Sequence, residues 1–371
     1  MRRSFLTVLL LLPLFTNLSF AQCNGYEPLC EKKYDEVAYL TTHNAYNNTE
    51  MGFDFTNHHY SITQQLNAGV RALMIDVYDL DGVPTVYHGL SLFGTQPLTA
   101  NLTEIKNFLD TNPNEVVTII FECYVTANQI EGALTTVDLM PYLFEKGSDD
   151  WPTLQQMIDD ENRLVIFTDS EDASADQGWF HHVWTHAVET PFTYYNVDEF
   201  DCEFNRGDPD NDLFILNHFV TDESLGIGVE SQAEIANANP FFIDRCDECE
   251  TITGKFPNFP TIDFYSIGDG LAVVNALNDL GDLGLETNAT IDLKVWPNPA
   301  NNQINLFLDK FEAGLNWKYE LYDLRGTLVL SDHIDQAQTI INTDQLKNGI
   351  YTLSISSAQS HLNHQKLCIQ K

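Results

Sequence analysis

Two histidines and a scatter of oxygen donors stand where short apolar runs of this sequence come to an end. His43 and Asn44 follow the run at 37–41, Asp76 lies near the end of 72–77, and Glu122 follows 116–121. Asp169 follows 164–168, Asn217 and His218 follow 213–216, and Asp263 with Tyr265 closes the run at 261–264. A further histidine, His88, sits in Val86-Tyr87-His88-Gly89. Imidazole titrates near neutral pH, so His43 and His88 suit a reaction in which one group takes a proton and another gives one. Carboxylates and carboxamides are hard oxygen donors, the kind that calcium prefers. Each residue alone means little, and the weight of the reading rests on whether they meet.

Meeting requires a fold that gathers distant strand ends. Between residues 35 and 280 the chain alternates β-rich apolar runs with longer amphipathic stretches, as repeated strand-helix units do, with a weaker run near 190–194. In a closed parallel barrel the C-terminal ends of the strands converge on one face, so the residues named above are expected at one site. Such a barrel needs about 250 residues. Residues 22–280 supply them, and residues 281–290 read as a linker rich in Gly, Asp, Leu and Asn. Beyond it, alternating strands at 291–296, 303–307, 318–324, 327–330, 339–342 and 351–356 predict a small all-β sandwich.

Composition bounds the setting. Met1-Arg2-Arg3, an apolar stretch at 5–15 and Ser19-Phe20-Ala21 form a cleavable secretory signal over residues 1–21, too short to span a bilayer. No later segment is apolar enough to be transmembrane. With 54 acidic against 18 basic residues, the formal charge of -36 repels nucleic acid and anionic lipid and attracts cations. Aromatic residues at 12% and apolar residues at 43% support a packed core and not disorder. The seven cysteines of an exported chain are disulfide candidates. Cys23 and Cys30 flank a short loop, two of Cys202, Cys246 and Cys249 are expected to pair, and Cys123 reads as a buried thiol.

An ordered set of motifs carries a resemblance. Thr41-Thr42-His43-Asn44-Ala45-Tyr46 is followed by Asn67-Ala68-Gly69-Val70-Arg71-Ala72-Leu73-Met74-Ile75-Asp76 and by Val86-Tyr87-His88-Gly89. Then come Asn112-Pro113-Asn114-Glu115 and Val116-Val117-Thr118-Ile119-Ile120-Phe121-Glu122. The set resembles the X domain of phosphoinositide phospholipases C, and more closely the secreted plant and bacterial proteins that carry an X domain alone. The resemblance implies an α/β, TIM-like (β/α) barrel acting as a phosphoric diester hydrolase on a phospholipid or another phosphodiester. It implies that His43 deprotonates the attacking inositol hydroxyl and that His88 protonates the departing oxygen, giving a cyclic phosphodiester first. Asn44, Asp76 and Glu122 fall on the positions that bind Ca2+ in the calcium-dependent branch. Asp76 stands where metal-independent members carry an arginine, and no arginine is expected nearby, since Arg71 begins the strand and belongs to the opposite end. Met74 replaces a glutamate of the calcium-dependent enzymes. Thr168 and Asp169 stand about where basic residues contact inositol phosphates, which turns the expectation away from phosphorylated inositols. Two rivals remain: a glycerophosphodiester phosphodiesterase on a related barrel, and a catalytically inactive lipid-binding or adhesive protein.

The tail has its own resemblance. Val295-Trp296-Pro297-Asn298-Pro299-Ala300, Leu321-Tyr322-Asp323-Leu324-Arg325-Gly326 and Leu346-Lys347-Asn348-Gly349-Ile350-Tyr351 occur in that order. They resemble the C-terminal sorting domain recognised by the type IX secretion system, placed at 291–371. The implied partner is the type IX secretion machinery. The implied destination is secretion or the outer-membrane surface, after signal peptide cleavage. Other motifs receive structural readings. His181, His182 and His186 have the spacing of a helix surface, His58-His59 reads as a solvent-facing loop, and Cys246-Asp247-Glu248-Cys249 as a structural pair. Asp208-Pro209-Asp210-Asn211-Asp212 lacks the glycine and final glutamate of a calcium loop.

Overall fold

Runs that are apolar at every position fit strands covered on both faces, and this chain has several. The computed structural model describes residues 22–147, 150–174, 177–223, 226–280, 293–308, 311, 317–322, 328–334, 336–356 and 361–371. The expected signal peptide, the linker at 281–290 and the turn at 323–326 lie outside the described residues. The chain divides into two units after Leu280.

The first unit strings its strands in the order β1 (Thr41–Thr42), β2 (Ala72–Leu80), β3 (Val83–Val86), β4 (Gln96–Pro97) and β5 (Val117–Tyr124). There follow β6 (Leu164–Thr168), β7 (Phe180–His182), β8 (Ala187–Glu189), β9 (Leu213–Asn217) and β10 (Phe259–Ile262). Eight of them pair in parallel along the path β7-β6-β5-β2-β1-β10-β9-β8, while β3 and β4 pair antiparallel to its side. The two ends of the path, β7 and β8, are consecutive in the chain and joined by the helix Val183–His186, so the sheet curls into a TIM-like barrel with its seam there.

Side chains alternate between the two faces with a period of two. Along β2, Ala72 and Met74 join the inner cluster with Tyr39, Phe167, Ile215 and Phe259, while Leu73, Ile75 and Val77 join the outer cluster against the helices. Continuing the inner phase from Met74 brings Asp76 to the interior at the C-terminal end. In the parallel register Asp76 stands opposite Glu122 of β5. The same alternation on β9 and β10 delivers Asn217 and Asp263 to that end. The floor is closed by aromatic packing, with Tyr34 stacked on Trp151 at 4.8 Å and Tyr39 on Phe259 at 5.6 Å. Arg71 lies at that lower end, paired with Glu115 at 2.7 Å and set over Phe108.

Several local expectations need correction. The weak run at 190–194 is not a strand; the strand there is β8, at 187–189. Phe180–His182 is a strand although histidine spacing suggested a helix, and His181 is buried inside the barrel with its Nε2 donating to the Phe144 carbonyl at 3.1 Å. Cys249 pairs with Cys202 and not with Cys246, whose thiol is free and buried, and the second disulfide joins Cys23 to Cys30. Cys123 is a buried free thiol. No helix of the described residues is long and apolar enough to cross a membrane.

The second unit is a small β-sandwich. One antiparallel sheet has β11 (Leu293–Trp296), β12 (Gln303–Leu308) and β15 (Gln338–Asn342) in that order. The other runs β14 (Leu328–His333), β13 (Lys318–Tyr322), β16 (Gly349–Ser356) and β17 (His361–Ile369), the last being a strand that sequence patterning missed. Ile304, Leu306 and Ile341 of one sheet share a core with Leu321, Leu353 and Leu367 of the other.

Burial pulls the His181 imidazole down from 6.5 to about 4, so the native chain holds it neutral. A depressed histidine stabilises above its unfolded value, and that contribution drains away as pH falls from about 6.5 toward 4. His181→Gln keeps a donor for Phe144 and removes the titration. In urea unfolding, wild type should lose roughly 2 kcal/mol more than this variant between about pH 7 and pH 5. Identical pH slopes would show that His181 does not drive this loss.

Candidate active site

His43 owes its placement to a strained turn and to three neighbours. β1 ends at Thr42, and Asn44 takes a left-handed φ of 50°, a conformation asparagine tolerates better than most residues. The His43 backbone is held from both sides: its N–H donates to the Ile262 carbonyl at 3.1 Å, and its carbonyl accepts from His58 Nε2 at 2.7 Å. His58 is fully buried, contrary to the solvent-facing loop expected of it, and burial pulls it down to about 4, so it is a neutral donor. The ring is held as well. His43 Nδ1 donates to Asp263 Oδ1 at 3.1 Å, and Phe219 stacks on it with centroids 3.9 Å apart. Asn57 donates to the same Asp263 oxygen at 3.0 Å and accepts from Asn47 at 2.8 Å.

His88 arrives by the β2–β3 hairpin, whose register sets Val86 opposite Val77 and returns the chain beside Asp76. Its Nδ1 lies 3.4 Å from Asp76 Oδ2, and its Nε2 donates to the Gly226 carbonyl at 2.8 Å. The hydrogen bond to Asp76 raises the pKa of His88 against the opposing effect of burial, with the Gly226 carbonyl adding to the rise. Asp76 Oδ2 also accepts from Tyr46 at 3.0 Å.

The Asn44 carboxamide lies between the two rings, 3.2 Å from His43 Nε2 and 3.2 Å from His88 Nδ1. With its NH2 turned to Asp76 it donates to both carboxylate oxygens, at 3.1 and 3.2 Å, and its oxygen faces the imidazoles. With the oxygen turned to Asp76 instead, acceptor meets acceptor, an arrangement that only a cation between them would favour. Thus four of the five sequence-predicted residues, His43, Asn44, Asp76 and His88, form one hydrogen-bonded group. The fifth, Glu122, faces Asp76 from the next strand.

A cleft opens beside this group, lined by His43, Asp76, Glu122, Asp169, Asn217 and Phe219 among others. Burial and then the nearby Asp76 raise the Glu122 carboxyl, which accepts from the Tyr124 hydroxyl. Burial raises Asp169 too. No three His, Cys, Asp or Glu side chains form a metal-holding cluster among the described residues. A cation here would rest on two carboxylates, Asp76 and Glu122, and on the Asn44 amide oxygen. That donor set is all hard oxygen and suits calcium. Met74, on the same wall, offers only a thioether.

The cleft also contains a cation that the sequence did not reveal. Arg206 lines it, held by Glu189 and flanked by the rings of Trp184 at 4.3 Å and Phe192 at 4.6 Å. Arg206 shares the cleft with Asp76 but is held at the end of β8, four strands from β2 along the sheet path. Arg206, Phe219 and Asn57 do not stand at a spacing that predicts a shared site, whereas Asp263 was expected there as the polar end of an apolar run.

Arg206 reaches this wall because Gly207 follows it. At Gly207, φ is 89° and an added Cβ would lie 2.1 Å from the Ala187 carbonyl oxygen. Gly82, in the open β2–β3 turn, has a similar φ of 83° but nothing within 4 Å of an added Cβ. Gly82→Ala should lose about 1 kcal/mol, the left-handed penalty alone. Gly207→Ala should lose about 3 kcal/mol or more in urea unfolding, because the backbone itself must move. Equal losses would refute the close approach.

Comparison with known proteins gives this geometry a lineage. The PI-PLC X family (PI-PLC X 1) matches residues 29–278, and the secretion system C-terminal sorting domain matches residues 294–370, which marks the chain for secretion or cell-surface export. A PI-PLC X domain-containing protein of Arthroderma benhamiae is 27% identical over 284 residues, 70% of this chain and 90% of that protein. One from Arabidopsis thaliana is 29% identical over 269 residues, 66% of this chain and 62% of the relative. A mutant phosphatidylinositol-specific phospholipase C of Staphylococcus aureus superposes with a TM-score of 0.48 at 14% identity, covering 67% of this chain and 95% of that one. With the family matched over 29–278, well over half of its 371 residues, the chain belongs to the PI-PLC X domain family.

Proposed function

We propose that this chain is an exported phosphoric diester hydrolase of the phosphatidylinositol phospholipase C kind, working by histidine acid-base catalysis. The observation that carries the reading is the pair of imidazoles flanking Asn44, each backed by its own carboxylate, with His43 and Asp76 lining an open cleft. Asp263 accepts from His43 Nδ1, and in the orientation of Asn44 whose NH2 faces His43 Nε2 that nitrogen is an acceptor, able to take the proton of an attacking hydroxyl. That hydroxyl oxygen bonds to phosphorus as the bond from phosphorus to the leaving alkoxide breaks. His88, whose protonated form Asp76 favours, gives its proton to the departing oxygen. A neighbouring hydroxyl of the head group as attacker yields a cyclic phosphodiester, and water opens it with the two histidines in exchanged roles.

Asn44, Asp76 and Glu122 are the residues that would hold calcium, which when bound supplies positive charge to the phosphoryl oxygens. The substrate in this reading is phosphatidylinositol or another phosphodiester without further phosphate groups, because Asp76, Glu122 and Asp169 repel added anions. For export, the type IX secretion machinery reads the tail, the signal at 1–21 is removed, and the protein reaches the medium or the outer-membrane surface.

On phosphatidylinositol with calcium, His43→Ala and His88→Ala should each lower kcat by about 10^3-fold or more, and His43→Ala, which leaves buried Asp263 with Asn57 alone, should also lower the thermal transition. Phosphorus NMR should show a cyclic inositol phosphate first. Glycerol phosphate in its place would favour the glycerophosphodiester reading, and intact-lipid binding with no product would end the hydrolase reading. Chelation of calcium should abolish turnover, with recovery on adding the ion back; undiminished activity in chelator would remove the cation from the scheme.

A further inference from the structure

His88 stands beyond the end of the strand that leads to it. β3 closes at Val86, whose register partner is Val77, so Tyr87 and His88 leave the ladder just where the chain comes opposite Asp76. A side chain from another element bridges that gap. The Tyr46 hydroxyl donates to Asp76 Oδ2 at 3.0 Å and to the Tyr87 carbonyl at 3.0 Å. One hydroxyl proton is shared between a carboxylate and the carbonyl next to His88, and the oxygen holds the two at a set spacing. Tyr46 is itself pinned. It is fully buried, and its ring meets Phe53 edge-on with centroids 5.9 Å apart. Its carbonyl accepts from Asn48 Nδ2 at 3.0 Å, and the preceding Ala45 gives its N–H to the Met74 carbonyl at 2.9 Å while its own carbonyl accepts from Gln65 at 2.7 Å.

The place of Tyr46 in the chain gives this bridge its meaning. His43, Asn44 and Tyr46 belong to one turn after β1, closed by the Asn47 N–H donating to the Asn44 carbonyl at 2.8 Å. That turn presents His43 to Asp263, Asn44 to both imidazoles, and the Tyr46 hydroxyl to the hairpin that carries His88. The His88 ring has its own contacts, Nδ1 at 3.4 Å from Asp76 Oδ2 and Nε2 at 2.8 Å from the Gly226 carbonyl, and neither restrains the peptide before it. Stacking on Tyr78, with centroids 4.2 Å apart, restrains the Tyr87 ring, whereas the Tyr46 hydroxyl restrains the Tyr87 peptide. An imidazole on an untethered backbone would keep its hydrogen bonds and still shift relative to His43. A displacement of about 1 Å between reacting groups costs on the order of 10^2-fold in rate.

We infer that Tyr46 is a positioning residue for the proton-donating half of the site: by spanning Asp76 and the Tyr87 carbonyl, its hydroxyl fixes the hairpin that carries His88 against the turn that carries His43. The inference rests on the hydrolase reading for its kinetic test, and a folding test separates the two. Two substrates share the inositol attacker and differ in the group that departs: p-nitrophenyl inositol 1-phosphate, whose phenolate leaves without a proton, and butyl inositol 1-phosphate, whose alkoxide must be protonated as its bond to phosphorus breaks. Tyr46→Phe keeps the ring and removes the hydroxyl. Its kcat/KM should fall about tenfold or more on the butyl ester and less than about threefold on the p-nitrophenyl ester. His88→Ala should show the same selectivity more strongly, and His43→Ala should lower both esters alike, since either reaction needs the attacker deprotonated. A parallel fall on both esters in Tyr46→Phe, or no fall on the butyl ester, overturns the assignment, because damage to the base or to the fold at large affects both. Urea unfolding gives the second arm. The factor by which Tyr46→Phe lowers the folding equilibrium constant should differ by about threefold or more between the wild-type and His88→Ala backgrounds, as coupled residues require, and an identical factor overturns the assignment. If wild type turns over neither ester, the hydrolase reading fails and the coupling alone decides the role of Tyr46.

Discussion

The arrangement at the barrel mouth depends on a buried carboxylate. Asp263 is 2% exposed, and a charge removed from water is tolerated only with partners close by. One of its oxygens accepts from His43 and Asn57, while the other has no hydrogen-bond partner and sits where a Cβ on Gly228 would come within 2.7 Å. That crowding leaves His43 as the main source of compensation. The demand of Asp263 for a proton donor therefore sets the tautomer of His43, and Asn57, His58 and Phe219 have their places because they hold that one ring against that one acid.

A second carboxylate organises the other half of the site under different terms. Asp76 stays within reach of three donors, from Tyr46, Asn44 and His88, and its hydrogen bond favours the charged form of His88. Two histidines of the same intrinsic chemistry are thus given different neighbours, a buried carboxylate shared with Asn57 for His43 and one shared with Tyr46 for His88. The Asn44 amide touches both rings and Asp76, so a change at any one of them is transmitted to the others through a single rotatable group.

What the sequence could convey follows from periodicity. Asp76, Glu122, Asn217 and Asp263 were legible because each interrupts an apolar run at a fixed phase, and a parallel strand turns phase into direction. His43 and His88 were legible through the motifs around them. His58, Asn57 and Arg206 lie in segments with no period, where nothing in residue spacing encodes which atoms will meet. β7 was missed because three residues are too few to alternate, and because His181 places a polar ring inside the barrel. The Cys202–Cys249 link spans 47 positions, and its rival Cys246 lies one helical turn away on the same helix Phe241–Thr253, so composition alone could not choose between them.

The arginine is the instructive case, because this protein carries 54 acidic residues and 18 basic ones. In so acidic a chain an unfixed guanidinium beside Asp169 and Glu189 would fold back onto carboxylates and present nothing to a ligand. Glu189 prevents this by engaging the Nε edge while being itself held by two asparagines, and the flanking rings restrict the remaining rotation. The disulfide and Gly207 fix the backbone on either side. A loop residue thereby acquires the positional accuracy of one on a strand.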